Sequence, residues 1–312
     1  MKEPIKVVAF GGGHGLSASL RALRQVPALE ITAVVTVGDD GGSSGRLRAD
    51  RGVLPPGDLR QALAALAGED QQSVDTAELF QHRFAGADPL AGHAVGNLVL
   101  CGLMELYGDA VAALDHAAAM LRAAGRVLPM SRVPVEIEAD VRFDDGSVRT
   151  IRGQHEVAIT PGHVEALRIL PPAPPACAEA VRAVHRADWL IFGPGSWYTS
   201  VIPHLLVPEL AEAILASDAK RLVTLNLAAE LETASLPVPA HLHALTRYLP
   251  GLRADVVLAD GKAVGDPEPV HHAAQALGAR LVLAPVADGT GYARHDPSAL
   301  AAALSPLLAA VG

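Results

Sequence analysis

The chain has 312 residues, half of them hydrophobic, and a formal net charge of -9 at neutral pH. That is enough apolar material for one large α/β domain or two smaller ones, and it excludes a disordered chain. No block of lysine or arginine offsets the acidic balance, which argues against nucleic acid as a partner and for a small metabolite. Two cysteines, Cys101 and Cys177, stand far apart in apolar sequence, as reduced thiols do and a disulfide framework does not. Met-Lys-Glu-Pro passes directly into a strand-like run without the pattern of a signal peptide, and no apolar stretch reaches the ~20 residues of a membrane span. A soluble, cytoplasmic protein with no membrane insertion is therefore expected.

The first predicted strand, Ile5–Phe10, stops on Gly11-Gly12-Gly13-His14-Gly15, and a helix is predicted from Leu16 with Leu16, Leu20 and Leu23 on one face. Glycines between a strand and a helix N-terminus let backbone approach a ligand, and the free N–H groups there attract an anion. Gly11 to Leu16 is thus a candidate phosphate-binding turn. The spacing is not the full GxGxxG fingerprint, so NAD is not implied by it.

A second strand, Ile31–Val37, leads into GDDGGSSGRLR, Gly38 to Arg48. Adjacent carboxylates at a strand end cap a turn, hold a cation or bind hydroxyl groups, and we expect one of Asp39 and Asp40 to be functional and the other structural. Gly41–Gly45 is read as a flexible loop whose Ser43 and Ser44, with Arg46 and Arg48 behind them, suit phosphate oxygens. Leu54-Pro55-Pro56-Gly57-Asp58-Leu59-Arg60 introduces a helix over Asp58–Ala67 with Asp58 as its N-cap. Arg60 in the first turn opposes the helix dipole unless an anion is near, making it a candidate phosphate contact beside Gly57 and Asp58. In Gly92-His93-Ala94-Val95-Gly96-Asn97-Leu98 another helix begins, and Asn97 among aliphatic residues needs a ligand or a backbone partner.

Asp109–Gly125 is predicted helical. Residues 129–170 are read as a small antiparallel insertion: Val133–Phe143, Val148–Arg152 and Glu156–Ile159 alternate around an Asp-Gly turn. Four further strands are predicted at Trp189–Phe192, Arg221–Leu225, Asp255–Leu258 and Arg280–Leu283, and a closing helix over Pro297–Ala310. After Phe192 the turn Gly193-Pro194-Gly195-Ser196-Trp197-Tyr198-Thr199-Ser200 repeats the opening logic, glycines and then hydroxyls, so Gly193, Pro194, Gly195, Ser196, Tyr198, Thr199 and Ser200 join the candidate site. Asn226 is a further polar group at a strand end. The alternation predicts an α/β fold, a Rossmann-like, doubly wound, mainly parallel sheet, with the three turns converging at strand carboxyl ends. The histidine pairs His241/His243 and His271/His272 lack the spacing of a zinc site and are assigned solvated or capping roles.

Taken in order and spacing, GGGHGLS, VTVGDDGGSSGRLR, PPGDLRQAL, GHAVGNL and GPGSWYTSVIPHLLV resemble the YvcK-type gluconeogenesis-factor family. That family is a branch of the CofD-like group, whose founding activity is 2-phospho-L-lactate transferase. The resemblance runs from about residue 5 to beyond Asn226. His14 stands where threonine is usual and His204 where asparagine is usual, and the region from Asn226, NLAAELETASL, lacks the family's glutamine-proline-glycine run.

The resemblance implies one CofD-like domain over residues 1–312 and a cytosolic binding protein for a nucleotide-linked metabolite such as a UDP-sugar. It further implies a role in cell shape and in growth on gluconeogenic carbon, and a homo-oligomer is expected. No cofactor is required in that reading. In the alternative, a CofD-like transferase moves a phospholactyl group from a nucleotide diphosphate donor to a deazaflavin, with Mg²⁺ at Asp39 and Asp40. An NAD(P)-dependent oxidoreductase rests on fold analogy alone.

Overall fold

The computed structural model describes residues 3–228, 231–233, 236–289 and 293–309. In chain order, β1 (Ile5–Gly11) enters α1 (Gly13–Leu23), followed by β2 (Leu29–Val35), α2 (Gly42–Arg51), α3 (Pro56–Leu66), α4 (Gln71–Gln81), α5 (Val95–Tyr107) and α6 (Ala110–Met120). The chain then forms β3 (Gly125–Pro129), β4 (Glu136–Arg142), β5 (Val148–Arg152), α7 (Gln154–Ile159), β6 (His163–Leu170), α8 (Ala178–Arg186) and β7 (Trp189–Phe192). The last third runs through α9 (Pro208–Ala216), β8 (Lys220–Thr224), α10 (Val238–Tyr248), β9 (Val256–Ala259), α11 (Gly261–Val264), α12 (Glu268–Ala276), β10 (Arg280–Leu283) and α13 (Pro297–Ala309). Ala310, the expected end of the last helix, lies outside the described residues, as do parts of the 226–236 stretch.

Among the described residues seven strands form one parallel sheet in the order β10-β9-β8-β7-β1-β2-β3. From β1 the chain adds strands toward β3, then returns to place β7 on the other side of β1 and continues outward to β10. Right-handed crossovers in opposite directions put their helices on opposite faces. Accordingly α1 packs on α3 and α13, while α8 packs on α9. The reversal lies between β1 and β7, where a doubly wound sheet leaves a crevice.

The floor beneath that crevice is aromatic. Phe10 and Phe192 are register partners at the carboxyl ends of β1 and β7, fully buried and stacked with centroids 4.9 Å apart. Burying each ring contributes about 1.5–3 kcal/mol, so the two strand ends that launch the glycine turns are firmly joined. His204 meets the edge of Phe10 and is itself wholly buried. Its surroundings lower its pKa to about 4, through burial against the weaker pull of the backbone carbonyls it faces. The residue standing at a usual asparagine position is therefore a neutral core histidine.

Several boundaries differ from those expected, each for a local reason. The first helix starts at Gly13, whose φ of +55° turns the chain, so Leu16 is not its first residue. Gly41–Gly45 is the entry of α2 and not a loop, because Ser43, Ser44 and Leu47 are buried against neighbours and packing overrides glycine's low helix propensity. Proline at the first position of α3 starts that helix early, so Asp58 lies inside the first turn and Pro55 is the N-cap. The predicted helix Asp109–Gly125 ends at Met120, with Asp109 accepting the N–H groups of Val111 and Ala112, and Gly125 opens β3, a sheet strand not anticipated. Glu156–Ile159 belongs to α7: Gly153, at φ +96°, ends β5, and the third strand of the small sheet is β6, in the order β5-β4-β6. Among the described residues no single helix is long and apolar enough to cross a membrane.

Candidate functional site

At the carboxyl ends of β1 and β7 lies a cleft of about 1130 Å³. Its centre is made by the two glycine turns. A Cβ on Gly15 would stand 2.3 Å from the Pro194 carbonyl oxygen and 2.5 Å from the Gly195 Cα, so only glycine allows the turns to approach this closely. Ser19 of α1 donates to the Gly193 carbonyl at 3.2 Å, a second tie between them. Asn226, just beyond β8, clamps the second turn from behind, its Oδ1 accepting from Gly195 N–H and its Nδ2 donating to Gly195 C=O, both at 2.9 Å. Gly12, Gly13, His14, Gly15, Pro194, Gly195, Ser196, Thr199, Ser200 and Asn226 all line the cleft. Gly11, Leu16, Gly193 and Tyr198 do not: Leu16 is in the core, and buried Tyr198 holds Glu232 through its backbone N–H.

The two aspartates point to different places. Asp39 lines the cleft, with Oδ1 accepting from Gly41 N–H at 3.0 Å. Asp40 turns away and accepts from His155 N–H at 2.9 Å, fastening α7 and the small sheet to the rim. Arg48 also faces away, donating to the Gly38 and Val135 carbonyls. Ser43, Ser44 and Gly57 sit behind the wall, not in it. Beside Asp39, Asp58 is 8% exposed and directed at the first turn, since a Cβ on Gly12 would meet its Oδ2 at 2.4 Å. Burial, and then the charge of Asp39, push its pKa up to about 7, against a Gly13 hydrogen bond and the Arg60 charge. Arg60, 2% exposed, lines the same cleft, and burial with the nearby charge of Arg83 lowers its pKa to about 10. Asn97 finds its partners in Arg60 and Ser43 and stands one layer behind the cleft.

Other lining residues were not legible beforehand. Gln154 and His155 come from α7, whose Gln154 donates to the Thr199 carbonyl at 3.0 Å; they fell between two expected strands, Val148–Arg152 and Glu156–Ile159. Gln81 and Arg83 arrive from the end of α4, and Asp288 and His295 from the segment after β10. Their only sequence signal was their residue type. His241, assigned a solvated or capping role, is instead 2% exposed inside α10 and stacked on Trp197, whose indole N–H donates to the His241 carbonyl at 2.8 Å. Among the described residues no cluster of three or more His, Cys, Asp or Glu side chains forms a metal centre. A buried carboxylate whose pKa the charge of Asp39 raises, as Asp58's is, fits a Mg²⁺ ion, which takes one or two carboxylates and completes its shell with water and ligand phosphate. Asp39 and Asp58 both line the cleft, whereas Asp40 does not.

Residues 7–284 match the CofD family, described as 2-phospho-L-lactate transferase CofD. A Mycobacterium tuberculosis protein named "Putative gluconeogenesis factor" is 49% identical over 97% of this chain and 90% of its own length. The "Gluconeogenesis factor" of Bacillus subtilis is 36% identical over 85% of this chain and 82% of its own. A crystal structure of a UPF0052-family protein from Bacillus halodurans superposes with a TM-score of 0.85 at 32% identity, covering 97% of this chain and 99% of that one. In fold, motif order and these similarities alike, the chain belongs to the CofD family, in its YvcK-type gluconeogenesis-factor branch.

Proposed function

We propose that the cleft binds the diphosphate of a nucleotide-linked metabolite, a UDP-sugar, and that the protein acts as a cytosolic regulator supporting cell shape and growth on gluconeogenic carbon. One observation carries the reading: at the crevice between β1 and β7 two glycine turns touch, with the N-terminus of α1 on one wall of the cleft and Ser196, Thr199 and Ser200 on the other. Backbone N–H groups and a helix N-terminus hold phosphate oxygens without a mobile side chain. The names carried by the Mycobacterium tuberculosis and Bacillus subtilis relatives support the gluconeogenic part alone. We further take residues 1–312 as one CofD-like domain, with 129–170 inserted and serving through α7 as a rim of the cleft, and the protein as a homo-oligomer.

The carboxylates of Asp39 and Asp58 favour a second reading, a Mg²⁺-dependent transferase acting on a nucleotide diphosphate donor; the description of the matched family supports its transferase part. There Asp39 and Asp58 would hold the ion, which when bound neutralises phosphate charge. Arg60 would neutralise a second portion of that charge, and the turns would orient the donor. Calorimetric titration with UDP-N-acetylglucosamine, GDP and NAD, each with and without Mg²⁺, separates the readings. Selective UDP-sugar binding without turnover supports the regulator. Preference for GDP with Mg²⁺ supports the transferase, and binding of none overturns both.

A further inference from the structure

A guanidinium is rarely buried unless its N–H groups are matched. Arg60 meets that demand on two sides: Nε donates to Asn97 Oδ1 at 2.8 Å and Nη1 donates to Gln81 Oε1, leaving the N–H groups of Nη2 to the cleft that Arg60 lines. Its stem crosses the backbone of α5 at Gly96, where a Cβ would meet Arg60 Cδ at 2.9 Å and the Phe80 carbonyl at 2.8 Å, so no side chain fits there.

The chain of bonds does not stop at Asn97. Because Arg60 can only donate, the Asn97 amide must present its oxygen to Arg60 and its NH₂ elsewhere; Nδ2 donates to Ser43 Oγ at 2.9 Å. Ser43 Oγ, having accepted that bond, has its own proton for His93 Nδ1, also 2.9 Å away. Burial and the charges of Arg46 and Arg83 lower the pKa of His93 against the opposing charge of Asp50, and a lowered pKa favours the neutral ring. Ser43, Asn97 and His93 are all buried, at 4%, 1% and 7% exposure, and none lines the cleft. With His93 in the tautomer protonated at Nε2, donation runs one way, Arg60 to Asn97 to Ser43 to His93, and each link polarises the next.

We propose that Arg60 is the anchor for the anionic group of the ligand and that Asn97, Ser43 and His93 are positioning residues, aiming its guanidinium into the cleft without touching the ligand. The inference rests on the anion-binding reading above and adds a buried layer to it. It is tested with inorganic pyrophosphate and UDP-N-acetylglucosamine, titrated by calorimetry into the full chain. Arg60→Gln is expected to weaken pyrophosphate binding about 30-fold and Asn97→Ala about 10-fold, the range for hydrogen bonds to charged groups. The double variant should bind no more weakly than Arg60→Gln, because Asn97 acts through Arg60. Losing the His93 acceptor in His93→Ala should weaken binding about threefold. Affinity should return in His93→Asn, whose Oδ1 can accept from Ser43.

Multiplying losses in the Arg60/Asn97 double variant, no rescue by His93→Asn, or wild-type pyrophosphate affinity in Arg60→Gln overturns the proposal. Should Asn97→Ala fail to fold, the smaller Ser43→Ala change carries the same cycle. Pyrophosphate binding that follows this pattern without UDP-sugar binding defeats the nucleotide reading and leaves the anchor standing; binding of neither defeats both.

Discussion

Replacing Asp58 with Asn probes the electrostatics of the cleft directly. Its pKa is 3.8 in the unfolded chain and about 7 in the fold, where burial leads and the charge of Asp39 adds to it. A raised folded pKa means that the native state keeps the proton longer than the unfolded chain. The stability contributed is full below pH 3.8, falls as pH rises and is lost by the time pH passes about 7. About three pH units at 1.36 kcal/mol each set the scale at roughly 4 kcal/mol, a large part of the 5–15 kcal/mol that typically separates folded from unfolded. Asn at this position stays neutral and can still accept the Gly13 N–H. The stability of Asp58→Asn minus that of wild type should therefore be near zero at pH 4 and rise to about 4 kcal/mol by pH 8. Taking the difference removes His204 and His241, whose pKa values of about 4 act with the opposite sign in part of the same window. Urea denaturation of both proteins across that range measures it. A difference that stays flat would refute the claim that ionising Asp58 in the cleft opposes folding.

Ala at Gly15 would place its Cβ 2.3 Å from the Pro194 carbonyl oxygen, so Gly15→Ala should destabilise by about 1–3 kcal/mol, lower the melting temperature and weaken ligand binding; an unchanged melting temperature would show that the turns are not in contact. His204 holds its pKa near 4 against 6.5 unfolded, so its contribution is present above pH 6.5 and is lost as pH falls toward 4. His204→Asn should remove roughly 3 kcal/mol of this acid sensitivity in pH-dependent denaturation, and an identical acid limb would count against a buried neutral ring. Asp39→Asn should abolish any Mg²⁺ dependence of ligand binding, whereas Asp40→Asn should cost about 1 kcal/mol of stability with little effect on affinity; calorimetry and denaturation on the same pair check the division, and reversed roles would refute it.

The sequence by itself determined the parts written in local patterns. Strand-length apolar runs ending on glycine identified β1, β7 and their turns, and the same alternation carried the parallel, doubly wound class. What it mislocated followed from contacts no local pattern records. Gly41–Gly45 has loop composition and becomes helix because Ser43, Ser44 and Leu47 are buried by distant neighbours. Gly125–Pro129 has too short an apolar core to read as a strand, yet pairs along β2 from Ile31 to Val35. Asp58 looked like a cap because aspartate at a helix start usually is one; Pro56 moved the start, and the fold turned the carboxylate onto Gly12.

Tertiary structure alone decided which candidates share the cleft. Asp39 and Asp40 are adjacent in sequence, and a backbone at a strand end sends successive side chains in different directions, one to the cleft and the other to α7. Asp39 and Asp58 are nineteen positions apart and become electrostatic neighbours because α3 packs beside the end of β2. The Arg60, Asn97, Ser43 and His93 chain draws on three helices and the lead-in to α5, a convergence set by helix packing and absent from any local spacing.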